Sequence, residues 1–265
     1  MRKRKIDKTV VMNLQKYEME FLWYSYFGMP MVSNDANDEQ KEEALICCIH
    51  RAYRDANRWM PFTLSESQIK GSNDSERVKA FIALKKKFSP AAAKGEPDSV
   101  KLILKHIRTL LSDSNEGYSK LAFDNWHKGA CTCLKNFAED LMENNVSLFR
   151  DSFFPYGFTQ KWINMTLKYM LIMGLWNDEL SEKVRYFHVP IDAYIINEAK
   201  ESFKDELSGY WQDTKWYESD DYDEYLCLQN LIRRRVLPLT PIEWEADAWI
   251  KQGNALKGDL TTIDD

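Results

Sequence analysis

Apolar residues along this chain recur every three to four positions, and no stretch alternates with period two. The pattern predicts helices throughout. The first covers about residues 12–27, where Leu14, Tyr17, Met19, Phe21, Leu22, Tyr24 and Tyr26 give a broad apolar surface that Gly28-Met29-Pro30 ends. A polar turn at 33–38 leads into a helix over 39–59, with Ala44, Leu45, Cys48, Ala52 and Ala56 at helical spacing. A loop over 61–73 precedes a helix at 76–88, whose closing Lys85-Lys86-Lys87 suits a helix C-terminus. Helices at 98–111 and 119–143 follow. The second of these presents Leu121, Trp126, Ala130, Cys133, Leu134, Phe137 and Leu141 as its core face. After an acidic aromatic loop the pattern predicts helices over 222–236 and 242–252, the last with Trp244 and Trp249 inward and a frayed tail from Gly253.

Between these lies residues 154–199, the unit around which the chain is organised. A Pro155-Tyr156-Gly157 turn launches a helix whose Ile163, Leu167, Met170 and Gly174 read as core. Lys161, Asn164 and Lys168 fall at i, i+3 and i+7, which puts them on one polar stripe. That stripe faces a loop that delivers His188 and Asp192. The next helix starts at Pro190, with Asp192 two residues in.

The fold class is therefore all-α, a multi-helix protein of about eight to ten helices. It reads as one domain over 1–265; the Ala/Gly/Pro-rich stretch 89–97 marks the place where it would divide into two lobes. Composition agrees: 44% hydrophobic residues, 13% aromatic, nine Trp, ten Gly and eight Pro describe a folded, helix-rich chain and exclude disorder. A net charge of −5 counts against a general polyanion binder and leaves room for local basic patches. Five cysteines without a small secreted framework point to a reducing, cytoplasmic compartment. No signal-peptide pattern follows the basic start, and no apolar run is long enough to span a membrane. The basic arm at 1–10 reads as a solvated terminus, with a phosphate-binding arm as its alternative.

The landmarks Pro155-Tyr156-Gly157-Phe158-Thr159-Gln160-Lys161 and Val189-Pro190-Ile191-Asp192 resemble the helix-hairpin-helix DNA glycosylase superfamily, in particular its oxoguanine-glycosylase-like branch. The resemblance spans residues 155–199. It departs from the family in having one hairpin glycine where two are usual, and longer spacings from Gly157 to Lys161 and from the helix to the aspartate; Lys168 is therefore the alternative lysine. The resemblance implies a DNA partner with a damaged or modified base flipped into a pocket, and cleavage of its N-glycosidic bond without metal or organic cofactor. Asp192 would stabilise the positive charge that develops on the sugar. Lys161 or Lys168, once desolvated, would attack C1′ and form a Schiff base. Repair and restriction of foreign DNA are the settings for such chemistry.

Around that pair, Gly157 would seat a phosphate, and Gln160 and Asn164 would bind a phosphate or base edge or else cap a buried loop. His188 would contact a phosphate, orient Asp192, or serve as a satisfied structural histidine. Trp162 and Tyr169 read as core rather than stacking groups. Arg51, Arg54 and Arg58 form a cationic stripe for DNA phosphates; Arg233-Arg234-Arg235 and Lys101, Lys105 and Arg108 form two more. Taken alone, each reads rather as a solvated helix face paired with acidic neighbours. Glu243-Trp244-Glu245 would hold an arginine stripe or lend a carboxylate to a pocket. His127, Cys131 and Cys133 lack the spacing of a zinc site, so no metal is expected. Two other classes stay open: a nucleic-acid-binding module without chemistry, and a helical interaction protein of a multi-component system, such as phage defence, that meets a protein partner through its aromatic surfaces.

Overall fold

The computed structural model describes residues 21–33, 35–56, 62, 73–93, 95–145, 147–149, 154–207, 209, 211 and 215–261, with side chains to 254. The basic arm, Arg58, most of the 61–73 loop and most of the first helix lie outside these residues. The described elements are helical: α1 (21–27), α2 (Asp38–Ala56), α3 (Ser75–Phe88), α4 (Asp98–Ser112), α5 (Lys120–Glu143), α6 (Tyr156–Ile172), α7 (Asn177–Leu180), α8 (Ala193–Ser202), α9 (Tyr222–Arg235) and α10 (Pro241–Thr261). Short 3-10 turns occupy Val184–Tyr186 and Trp216–Glu218. No strand occurs among the described residues, and no helix among them is long and apolar enough to cross a membrane.

Short polar side chains start the helices by accepting from otherwise unpaired amides. Asp74 accepts from Glu76 N at 3.0 Å, Ser119 from Ala122 N at 3.2 Å and Asp221 from Asp223 N at 2.8 Å. At α10, Thr240 and Glu243 form a reciprocal capping box, with Thr240 N donating to Glu243 Oε2 at 2.7 Å and Glu243 N donating to Thr240 Oγ1 at 3.3 Å. That helix continues to Thr261 instead of fraying at Gly253. Its Trp249 is exposed, not inward.

The apolar packing falls into two clusters. The larger joins α2 to α6 and closes with Phe187; the smaller starts at Val189 and joins α8, α9 and α10. The stretch 89–97 does not separate cores: α2 and α3 before it pack with α4, α5 and α6 after it, and Ser99 Oγ donates to the Phe88 carbonyl at 2.5 Å. On α5 the buried stripe is Phe123, His127, Ala130, Cys131, Leu134, Ala138 and Met142, while Leu121 is exposed.

Helix α6 is the centre. Twelve of its seventeen residues are buried, polar ones included, which fits a helix enclosed over most of its surface. Trp162 packs on Tyr53 at 4.8 Å, and its indole N–H donates to the Ile49 carbonyl at 2.9 Å, fixing α6 against α2. Burial of each such large side chain stabilises the fold by about 1.5–3 kcal/mol. The left-handed Gly174, at φ 67°, ends the helix, with Leu175 N donating back to Met170 O at 2.9 Å. The charged segment that follows is pinned by the buried Lys183, which donates to Asp113 O at 2.7 Å and Glu179 O at 2.8 Å.

Candidate functional site

The Gly157 segment is not a hairpin turn. Pro155 caps α6, and Gly157 is the second residue inside it. Its amide donates to Ser219 O at 2.8 Å, and the neighbouring Tyr156 amide donates to Asp220 Oδ1 at 3.1 Å. A Cβ at Gly157 would stand 1.9 Å from Trp216 O, so this glycine is required by the close passage of the 216–219 backbone. The donors that an anion would need at this helix start are thus taken by the chain itself.

The polar stripe of α6 divides into two sets. Asn164 holds the first. Its amide nitrogen lies 2.8 Å from Tyr225 OH, 3.1 Å from Gln160 Oε1 and 3.2 Å from Val189 O. Its carbonyl oxygen accepts from His127 Nε2 at 2.9 Å, and His127 Nδ1 meets Tyr222 OH at 2.9 Å. Tyr225 OH continues to His188 Nδ1 at 2.9 Å, and His188 Nε2 to Asp124 Oδ1 at 3.0 Å, where Arg233 also donates at 2.8 Å. Gln160 Nε2 donates to Gly157 O at 3.0 Å and Ile191 O at 3.2 Å; Gln229 binds both Val189 N and Val189 O. Both imidazoles are fully buried, and burial above all holds their pKa values well below the usual histidine range; Arg233 and Lys120 reinforce this at His188. The His188–Asp124 contact is therefore a neutral imidazole donating to a carboxylate whose charge Arg233 balances. His188 faces Asp124 and Tyr225, away from Asp192.

The second set is charged. Lys161 Nζ stands 3.3 Å from Asp192 Oδ2, with side-chain exposures of 10% and 15%, and 4.5 Å from the centre of the Trp216 ring. Asp192 is the N-cap of α8 rather than its third residue: Oδ1 accepts from Ile195 N at 3.1 Å, which leaves Oδ2 for the lysine. Two turns along α6, Lys168 Nζ donates to Glu245 Oε2 at 2.5 Å, with exposures of 16% and 3%. Burial pushes the Glu245 carboxyl up, against the pull of Lys168 and Lys161, and Asp192 adds to the rise, so Glu245 feels the other three charges. The arrangement can hold a carboxylate and a primary amine side by side at the edge of a buried helix, under an aromatic ring.

Several members of the basic stripes pair within the chain. Arg51 pairs with Asp55 at 3.2 Å and lies 3.7 Å over the Tyr26 ring, while Arg54 is exposed. Arg235 pairs with Glu206 at 3.1 Å, and Lys101 with Asp98 at 3.0 Å. Trp162 and Tyr169 are both buried in the larger cluster. Glu245 faces a lysine and not an arginine stripe. His127 and Cys131 come within 3.8 Å, and burial drives that thiol's pKa far up. Among the described residues no group of three His, Cys, Asp or Glu could hold a metal ion. A narrow apolar crevice between α4, α5 and α6, lined by Leu102, His106, Trp126 and Ile163, has no room for a water molecule.

Asp124, Tyr222, Tyr225, Gln229 and Trp216 were not singled out from the sequence, and Arg233 was read as part of a cationic stripe rather than as the partner of Asp124. A signal existed: Tyr222, Tyr225 and Gln229 repeat the i, i+3, i+7 spacing of the α6 stripe, and Asp124 and His127 are i, i+3 on α5. Trp216 had none, since it arrives through a loop. Comparison with protein-family models, curated proteins and solved structures finds no match to the chain.

Proposed function

We propose that this chain is a DNA glycosylase-like enzyme that cleaves the N-glycosidic bond of a damaged or modified base, with Lys161 and Asp192 as the reacting pair. One observation carries the reading: an amine and a carboxylate 31 positions apart in sequence meet at 3.3 Å, beside the Trp216 ring. Asp192 is held by its bond to Ile195 N, so its second oxygen has a fixed aim. As the bond to the base lengthens, positive charge gathers on the sugar, and a fixed carboxylate stabilises it without reorganising. The amine of Lys161, after losing its proton, would attack C1′ and leave a Schiff base once the ring opens. Lys168 is the alternative nucleophile, and its bond to Glu245 makes it the less free of the two.

Borohydride trapping on duplexes that carry a panel of modified bases tests this reading. A covalent adduct lost in Lys161→Ala and kept in Lys168→Ala supports it. Base release that Asp192→Asn abolishes, without any adduct, keeps the glycosylase and removes the lysine from it. A panel with neither product nor salt-dependent DNA affinity sinks the reading. It would favour the second one, a helical interaction protein. The observation behind that alternative is the row of exposed Phe21, Leu22, Tyr24 and Met31 at α1 and just beyond it.

A further inference from the structure

The Lys161–Asp192 pair is nearly closed from water, so a substrate reaches it only if something moves. Helix α10 is the element whose attachment suits movement. From residue 245 to 254 its buried positions are Glu245, Ala248 and Gln252, an inward stripe with one small apolar side chain. Its larger apolar residues there, Trp249 and Ile250, are 46% and 58% exposed. Helices usually bury the opposite faces.

Beside one ring contact, Trp249 on Tyr194 of α8 at 5.2 Å, polar contacts hold it. Glu245 takes Lys168 of α6 at 2.5 Å. Gln252 donates to Glu198 of α8 at 2.9 Å, and Lys251 donates to Glu198 at 2.8 Å and to Glu201 at 3.2 Å. Apolar anchorage gathers at the other end, where Ile242 and Trp244 are half-buried against the two clusters. If the part beyond Trp244 lifted, the apolar surface uncovered would be that of Ala248 and of the Trp249–Tyr194 contact, and the ions released would be hydrated again.

We propose that α10 is a detachable cover over the Lys161–Asp192 pair, latched by Glu245 on Lys168 and by Glu198 on Lys251 and Gln252. Glu245 is a positioning residue: its charge closes the side of the pair, and lifting α10 opens it. The purpose of the cover rests on the glycosylase reading; its existence does not.

The test uses the full chain and needs no substrate. Hydrogen–deuterium exchange is followed for α10, α5 and α6, and reductive methylation by formaldehyde and cyanoborohydride is mapped to Lys161. The amides of 246–254 are expected to exchange while α5 and α6 stay protected. Glu245→Gln should speed that exchange about tenfold or more, and Lys161 methylation by the same factor. Lys251→Ala, at a side chain 58% exposed whose loss does not threaten folding, should give a smaller rise in both. High salt should raise both rates, because it screens ion pairs and would tighten an apolar contact. Exchange of α10 at the same rate as α5 and α6 in every variant overturns the proposal. So does opening of α10 that leaves Lys161 methylation unchanged, since α10 would then not cover the pair. Failure of borohydride trapping would remove the chemistry and leave the cover standing.

Discussion

Helix α6 carries two polar sets on one stripe, and they are built on opposite principles. The Asn164 set is uncharged along most of its length, and its neutral members are buried and satisfied: two histidines, two tyrosines and two glutamines pass hydrogen bonds from α5 to α9. The lysine set, separated from it by a single helical turn, consists of four charges in two pairs at the edge of the fold, with a few per cent to a sixth of each side chain open to water. A saturated neutral network has no capacity left for a ligand, and each member lost strands its partners. A charged pair at the margin can exchange a partner for solvent or substrate. Structure belongs to the first set and candidate chemistry to the second.

The largest break in that contrast is Asn164→Leu. Removal of the amide leaves His127, Gln160, Tyr225 and the Val189 carbonyl short of partners inside the core. We expect a loss of about 3–5 kcal/mol in urea unfolding, at the high end for one side chain. A loss under 1 kcal/mol would mean that water or repacking satisfies the network. Lys168→Met comes next. It strands Glu245, whose carboxyl burial already pushes up, and should cost about 3 kcal/mol near neutral pH. Adding Glu245→Leu should recover most of that, since two apolar groups replace a pair. Additive losses in the double variant would show that the two side chains do not act on each other.

The fold class was legible because helical periodicity is a local property, and α3, α4 and α5 begin and end within one residue of the bounds that periodicity predicts. The meeting of Lys161 with Asp192 was legible as an order of landmarks. Two things were not. Gly157 reads as a turn residue, and only the passage of Trp216 from a distant loop reveals why a side chain is forbidden there. His188 reads as a satisfied structural histidine among other choices, and it is one, but its partners Asp124 and Tyr225, 64 and 37 positions away, could not be named from the sequence. Partner choice across such separations is settled by packing, and no local pattern encodes it.

The histidines also give the neutral set a pH signature. Both are held neutral in the fold, with pKa values well below 6.5. Below about pH 6.5 the unfolded chain binds protons that the native chain does not, so their stabilisation is complete above that pH and drains away as pH falls. The slope is about 1.4 kcal/mol per pH unit for each histidine. Urea midpoints between pH 7.5 and 5 should fall accordingly, and His127→Gln should flatten the slope by one proton. An unchanged slope in that variant would place a proton on His127 in the native state.

The smallest effect on stability should come from Lys161→Met. Asp192 keeps its bond to Ile195 N, and its side chain, 15% exposed, can turn its second oxygen to water once the amine is gone. The methionine stem keeps most of the apolar contact that the lysine made beneath Trp216. The expected cost is therefore about 1–2 kcal/mol, below that of Lys168→Met because Asp192 is less buried than Glu245. The same substitution should erase any borohydride adduct. That combination separates the two sets most cleanly: a residue dispensable to the fold and indispensable to the reaction. A loss of several kcal/mol with adduct formation intact would invert the assignment, and would place the lysine pair with the Asn164 network as structure.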